Sequence, residues 1–194
     1  MNHKGYLLVM MQAPPAFEDE FNAWYDTEHI PERVAVTGFE TGKRYVCLNG
    51  SPRFLAMYDT HSPKVLESPE YLRVSFDKAS PWTKRVTSRV KVDRSAGVQI
   101  YPGDKVTGRA TRVLLLRFRA LEATASELII AGLRSNYDGR PETIQWRVFT
   151  NVSSEGIDFL GFVELRAPIP EMINLTPFGV YADSLDLMNT YSPY

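Results

Sequence analysis

The feature that most constrains this fold is an uninterrupted apolar run, Tyr6–Met11, close to the start of the chain. Successive side chains of a β-strand point to opposite faces, so a strand that is apolar on both faces must be buried on both. The run therefore predicts a central strand of a sheet rather than an edge strand. A second run of this kind, Val113–Leu116, lies in the other half of the chain.

The first apolar run is followed by a segment with the periodicity of an amphipathic helix. Aromatic residues recur at helical spacing from Phe17 to Trp24, and acidic residues occupy the opposite side. A proline disfavours helical backbone at the residue before it. Because Pro31 stands two positions after His29, we expect the helix to end near His29 and to leave this side chain facing a loop or a cavity.

Two strands and a turn come next. Lys43–Leu48 and Arg53–Thr60 read as strands, and the connection Asn49–Pro52 is typical of a hairpin. A second helix is predicted over residues 62–76, and the alternation of Val86–Val92 predicts a fourth strand. The resulting order, β-α-β-β-α-β, is that of a ferredoxin-like unit.

The same order of elements begins again after the turn-rich residues 101–108. Strands are predicted over 112–119, 144–149, 159–165 and 188–191, with helices starting near residues 124 and 178. We therefore expect an α+β protein of two tandem ferredoxin-like units, residues 1–105 and 106–194. Their antiparallel sheets would pack against each other and form an intrachain α/β barrel.

Composition excludes several classes of function. The net charge is −1 and no dense stripe of Lys and Arg is present, which argues against nucleic acid or an anionic membrane as a partner. The only cysteine, Cys47, cannot form an internal disulfide, and no phosphate-binding loop or metal-ligand motif occurs. We expect a cytoplasmic protein that needs no cofactor and no metal ion.

Reactive side chains are concentrated in the segment Trp24–Pro31, with the sequence WYDTEHIP. An imidazole titrates near neutral pH and can accept and return a proton within one turnover. His29 is thus the candidate catalytic residue, with Glu28 or Asp26 to orient it or to balance its charge. Under a superposition of the two halves, this group of residues is missing from the second half.

Aromatic and cationic residues nearby would suit the binding of a small apolar or aromatic molecule. The candidates for substrate binding are Trp24, Tyr25, Arg44, Tyr45, Tyr58 and Trp82. Arg44 and Tyr45 are neighbours in a strand, so at most one of them can face any given cavity.

Each candidate also has a structural interpretation. His29 could cap its helix or bind a backbone carbonyl, and the aromatic residues could be core. Glu28 falls on the apolar stripe of the helix, where a carboxylate is either partly desolvated or paired with a cation such as Arg33 or Arg44.

The segment Trp24–Arg33, with Gly38–Phe39 and Lys43–Tyr45, resembles the EthD-like branch of the dimeric α/β-barrel superfamily. Phe54–Tyr58 and Leu66–Leu72 are also similar to that branch, whereas the second half matches only in the order of its elements. The resemblance implies a small-molecule site between sheet and helices, with His29 as a possible site residue. The superfamily includes muconolactone-type isomerases, aromatic polyketide cyclases and cofactor-free monooxygenases of phenols.

We therefore expect a cofactor-independent enzyme that performs proton-transfer chemistry on a small aromatic or lactone-like catabolic intermediate. The reaction would be an isomerisation, a cyclisation with dehydration, or a cofactor-free oxygenation. A non-catalytic protein that binds small molecules or assembles is the alternative. Haem binding is a third possibility, for which a single well-placed histidine is a weak basis. A homodimer of the barrel is possible.

Overall fold

β1 is the central strand that the apolar run predicted, and its side chains are buried on both faces of the sheet. The structure is a computed structural model that describes residues 3–169 and 172–194. Within these residues eight strands form a closed antiparallel barrel. They are β1 (Gly5–Gln12), β2 (Phe39–Cys47), β3 (Phe54–Thr60), β4 (Lys91–Tyr101), β5 (Arg112–Leu121), β6 (Thr143–Ser153), β7 (Gly156–Leu165) and β8 (Leu185–Pro193).

The order of strands around the barrel is β1-β3-β2-β8-β5-β7-β6-β4. The first four strands therefore run β4-β1-β3-β2 and the last four run β8-β5-β7-β6, which is the same order within each half. Pairing of β2 with β8 and of β4 with β6 joins the two sheets into one barrel. The α+β fold of two ferredoxin-like units in one intrachain barrel is confirmed.

Helices cover the outside of the barrel. The α-helices are α1 (Glu18–Trp24), α2 (Ile30–Val34), α3 (Pro69–Arg73), α4 (Pro81–Thr87) and α5 (Ser126–Tyr137). Short 3-10 segments include Pro63–Glu67 and Thr176–Ser184. In β3, Phe54, Ala56 and Tyr58 pack against the helices, and the alternate residues face the barrel interior.

The first helix does not end at His29, so that prediction was wrong. Residues Tyr25–His29 form a π-helical turn, in which the N–H of Ile30 donates to the carbonyl of Tyr25. The helix then continues as α2 to Val34 with Pro31 in its first turn. A proline is accepted there because its missing N–H falls where the hydrogen-bond register changes.

The fourth strand was also predicted too early. Residues 81–87 form α4, which begins after Ser80, whose hydroxyl accepts a hydrogen bond from the N–H of Thr83 at 2.9 Å. Val86 is fully buried on the inner face of this helix. β4 starts at Lys91 and contains Ser95 and Gly97, so its pattern of apolar residues is weak. A capping serine followed by proline is the stronger signal.

The barrel interior contains a buried ionic network at one end. Arg147 on β6 contacts Asp59 on β3 at 2.6 Å and Glu164 on β7 at 3.4 Å, and all three side chains are fully buried. Thr107, in the segment that joins the halves, donates its backbone N–H to Asp59 and accepts a hydrogen bond from Arg147. The backbone N–H of Gly108 donates to Glu164. This network ties both halves and their connection together.

A second arginine lies toward the opposite end of the barrel. Arg117 on β5 binds Asp93 on β4 at 2.6 Å and Asp186 on β8 at 2.8 Å. Its hydrogen bonds to these carboxylates raise the pKa of the guanidinium, although its partial burial acts in the opposite direction. Each end of the interior thus has an arginine that connects the two halves, and an apolar core lies between them.

We predict that Arg147→Met destabilises the protein by about 3–5 kcal/mol, because it leaves two buried carboxylates without a cation. Urea unfolding monitored by tryptophan fluorescence measures the change. Arg119→Met is the matched control, since the Arg119 side chain is 50% exposed and removal of an exposed ion pair costs little. Addition of Asp59→Asn and Glu164→Gln to Arg147→Met should recover part of the loss. Equal stability of Arg147→Met and wild type would contradict the assignment.

Candidate functional site

A cleft of about 460 Å³ opens between α2 and the outer face of β2. β2 pairs with β8 only over Tyr45–Cys47, so within the described residues the beginning of β2 has no strand on that side. The cleft lies at this free edge, and its walls are Asp26, Ile30, Pro31, Val34, Gly42, Arg44 and Tyr194.

Gly42 keeps the floor of the cleft open. A Cβ atom at this position would lie 2.8 Å from Cγ1 of Val34 and 3.3 Å from the ring of Tyr58. Contacts of this length require the neighbours to move, so a side chain at position 42 would close the space between helix and sheet. Gly42 pairs with Tyr58 of β3, which places the phenol ring directly beside the cleft floor.

Arg44 is held at the mouth of the cleft by several partners. Its guanidinium binds the carboxylate of Asp26 at 2.5 Å and the amide oxygen of Asn22 at 2.6 Å. It also lies over the ring of Tyr25 at 4.5 Å and the ring of Tyr194 at 3.9 Å. These contacts fix the position of the guanidinium, and Asp26 is its carboxylate partner.

His29 is not one of the cleft walls; it is buried against two aromatic rings of the same helical segment. Its imidazole stacks on Trp24 at 4.2 Å between ring centroids and meets the edge of Tyr25 at 5.2 Å. The side chain is 8% exposed, and its buried Nδ1 has no hydrogen-bond partner among the described residues. Burial, with the nearby Arg33 cation, lowers the pKa of His29 to about 3. The imidazole is therefore neutral at physiological pH.

Two tyrosines complete this buried polar group. The hydroxyl of Tyr25 donates to the sulfur of Met11 at 3.7 Å and also interacts with the neighbouring Tyr58, whose own hydroxyl is buried. Burial raises the pKa of both phenols, so both remain protonated donors. Buried polar groups are normally hydrogen-bonded, and within the described residues the Nδ1 of His29 and the hydroxyl of Tyr58 are two exceptions.

Glu28 forms no ion pair with Arg33 or Arg44, which was one of the two alternatives for this residue. Its carboxylate accepts hydrogen bonds from the hydroxyls of Ser80 at 2.5 Å and Thr83 at 3.1 Å. It therefore stabilises the start of α4, where Ser80 is the capping residue. Hydroxyl donors satisfy the carboxylate at this half-buried position, so no cation is needed.

The remaining candidates are separated by the fold. Trp24 donates from its indole nitrogen to the hydroxyl of Thr83 at 3.0 Å, and Trp82 donates to Glu20 at 3.2 Å on the outside of the helices. Tyr45 faces the barrel interior, away from Arg44 and the cleft. The structure thus brings together Trp24, Tyr25, Asp26, His29, Arg44 and Tyr58. Glu28 is linked to Trp24 through the hydroxyl of Thr83, whereas Tyr45 and Trp82 lie elsewhere.

Sequence reasoning missed Gly42 and Tyr194. Gly42 directly precedes the Lys43–Tyr45 segment. The need for glycine at this position comes from the nearness of Val34, which no local sequence pattern encodes. Tyr194 reaches Arg44 because its N–H donates to the carbonyl of that residue at 3.0 Å, a contact made across the barrel closure.

The second half differs at the corresponding edge. There β6 takes the place of β2, and Trp146 on β6 stacks on Tyr101 with ring centroids 4.3 Å apart. Residues 106–194 contain no histidine. The imidazole therefore belongs to the first half alone.

No protein-family model matches the chain, and no curated protein matches it in sequence. Solved structures do match. An anthrone oxidase-like protein is 12% identical with a TM-score of 0.70, and the match covers all of this chain and 92% of that one. The fold is a ferredoxin-like α/β barrel.

Two further structures support this assignment of the fold. A provisionally assigned monooxygenase from Lactobacillus acidophilus is 8% identical with a TM-score of 0.57, over 100% of this chain and 94% of that chain. A chlorite dismutase variant from Candidatus Nitrospira defluvii, in complex with cyanide, is 10% identical with a TM-score of 0.55. That match covers 98% of this chain and 91% of the other. At these identities the likeness concerns the fold.

Two features are absent from the part of the chain that the structure describes. No three His, Cys, Asp or Glu side chains are grouped so that they could hold a metal ion. No helix there has both the length and the apolar composition that are needed to cross a membrane.

The low pKa of His29 predicts a pH dependence of stability. Between pH 6.5 and about pH 4 the unfolded chain binds a proton at His29 and the folded protein does not, so acidification favours unfolding. The free energy of unfolding should fall by about 1 kcal/mol per pH unit more in wild type than in His29→Phe. Chemical denaturation at several pH values measures both slopes. His61→Phe, at an exposed histidine, should keep the wild-type slope, and equal slopes for His29→Phe and wild type would refute the shift.

Proposed function

We propose that this protein is a cofactor-independent enzyme that moves a proton on a small aromatic or lactone-like molecule bound in the first-half cleft. The observation that carries the proposal is the neutral, buried His29, whose Nδ1 has no hydrogen-bond partner in the described residues. An imidazole that is neutral at working pH can accept a proton from a carbon acid or a phenol. Residues 1–105 would then contain the site, and residues 106–194 would form its scaffold.

Burial limits when His29 can act as a base. A protonated imidazole in this apolar layer is unfavourable, so proton transfer requires a negative charge beside it. An enolate or phenolate formed by the same transfer supplies that charge. The hydroxyls of Tyr25 and Tyr58 can donate hydrogen bonds to the developing oxyanion, and Arg44 at the cleft mouth adds a positive charge.

The walls of the cleft indicate the kind of substrate. Ile30, Pro31 and Val34 form an apolar side, and the ring of Tyr194 lies over Arg44 on the other. Such a slot suits a flat, largely apolar molecule with one oxygen atom near Arg44. Asp26 would position Arg44 in this scheme, and Trp24 would position His29 by stacking.

The structural neighbours support a specific test compound. One of them is described as anthrone oxidase-like and another as a monooxygenase. An anthrone is a flat aromatic ketone with an acidic methylene group. Transfer of one methylene proton to His29 gives the enolate, and reaction with O₂ followed by loss of water gives the quinone. O₂ is the oxidant, and it is reduced to water and the new carbonyl oxygen.

We also infer that the chain is a two-unit form of the EthD-like branch. The motif Trp24–Arg33 supports this assignment, as does the common order of strands in the two halves. A homodimer of the whole barrel remains a prediction that analytical ultracentrifugation can test.

We predict that His29→Phe lowers the rate of anthrone oxidation by about 10²–10⁴-fold, the range for loss of a general base. Phenylalanine keeps a ring on Trp24 and removes the proton acceptor, so the melting temperature should stay within a few degrees of wild type. Quinone formation in air, followed by absorbance, gives kcat and KM. His61→Phe is the control and should retain full activity.

A non-catalytic binding protein is the second candidate, favoured by the tight packing of His29 between Trp24 and Tyr25. If His29 only fills space, His29→Phe should bind anthrone as wild type does. Neither protein should then raise the rate of anthrone oxidation above the rate without protein. That result would refute the catalytic proposal and keep the binding one.

A further inference from the structure

A separate cavity of about 420 Å³ lies in the second half, on the outer face of β5 and β8. The end of α5 and the tip of the β2–β3 hairpin close its sides. None of its walls belongs to the cleft between α2 and β2. It therefore needs its own explanation.

The cavity exists because the two halves cover their sheets differently. In the first half the connection between β3 and β4 contains α3 and α4, and α4 packs against α1 over the sheet. In the second half the connection between β7 and β8 contains, within its described residues, the 3-10 segment Thr176–Ser184 and no α-helix. Part of the outer face of β5 and β8 is consequently left uncovered.

The walls of this cavity are mostly apolar. Leu48, Leu114, Leu165, Ile169, Ile173 and Met188 supply the apolar surface. The volume lies in the range of small-molecule sites, and a bicyclic aromatic ring would fit. The walls therefore favour a ligand whose body is apolar and compact.

Polar groups in the same cavity indicate the rest of the ligand. Arg112 and Leu114 lie on the same face of β5. One guanidinium nitrogen of Arg112 donates to the carbonyl of Thr111 at 2.6 Å. In the described part of the chain no carboxylate pairs with Arg112, and no acidic residue lines the cavity. Tyr137, buried at the end of α5, contributes a phenol whose pKa is raised by burial, so it remains a donor.

We propose that this cavity is a second binding site, for a small apolar carboxylate. The apolar body would lie against Leu114 and Met188, and the carboxylate would bind the free nitrogens of Arg112 with a hydrogen bond from Tyr137. A guanidinium binds a carboxylate through two parallel hydrogen bonds, which Arg112 can offer; Arg140 also lines the cavity and makes an interaction of its own. The proposal does not depend on chemistry at His29.

The test is equilibrium binding of 1-naphthoate and of its neutral analogue, 1-naphthamide, measured by calorimetry on the full chain. Arg112→Gln should weaken naphthoate binding about tenfold or more, which corresponds to about 1.4 kcal/mol, and leave naphthamide binding unchanged. Met188→Trp should fill the cavity and weaken both compounds. Met188 is 45% exposed, so the larger side chain can be accommodated without disturbing the core.

Matched controls locate the binding. Arg109→Gln removes an exposed arginine outside the cavity, and Val152→Trp adds a tryptophan at an exposed site on β6; both should bind naphthoate as wild type does. His29→Phe should also bind it normally. The proposal is wrong if wild type shows no saturable binding at millimolar naphthoate, if Arg112→Gln binds it unchanged, or if His29→Phe abolishes binding, since the compound would then occupy the first-half cleft.

Discussion

The buried contact of Arg147 with Asp59 and Glu164 is the interaction on which the rest of this structure depends. Each carboxylate comes from a different half of the chain, and Thr107 from their connection completes the network. A charge in a barrel interior is tolerated only when it is paired and hydrogen-bonded, so the network specifies how the two sheets face each other. The barrel can close only in the register that satisfies these groups.

That closure determines where the functional surfaces lie. The apolar core and the buried arginines fill the inner faces of both sheets. Helices and ligands can therefore pack only against the outer faces. In the first half, α1 and α2, with the imidazole of His29, pack against the outer face. The cleft between α2 and β2 stays open because Gly42 has no side chain. In the second half the outer face is covered less completely, and a cavity remains beside Arg112. The same sheet order thus supports two different kinds of opening.

Much of this fold could be predicted from the sequence, because strands buried on both faces have an unmistakable composition. Tyr6–Met11 and Val113–Leu116 are the clearest cases. The fourth strand was misplaced because Val86, the valine of the short helix α4, falls into apparent alternation with Val90 and Val92 beyond the helix. At the site, the residue types around His29 were identifiable, whereas the roles of Glu28 and Gly42 depend on partners far away in the chain. Such contacts leave no local pattern.

The π-helical turn at Tyr25–His29 has a geometric consequence for the imidazole. A π turn contains one residue more than an α turn, and each residue of an α-helix advances the direction of its side chain by about 100°. If the same residues formed a regular α-helix, every side chain after the turn would point about 100° away from its present direction relative to α1. The direction of His29 toward the sheet therefore depends on the backbone hydrogen-bond register of this turn as well as on the residue type.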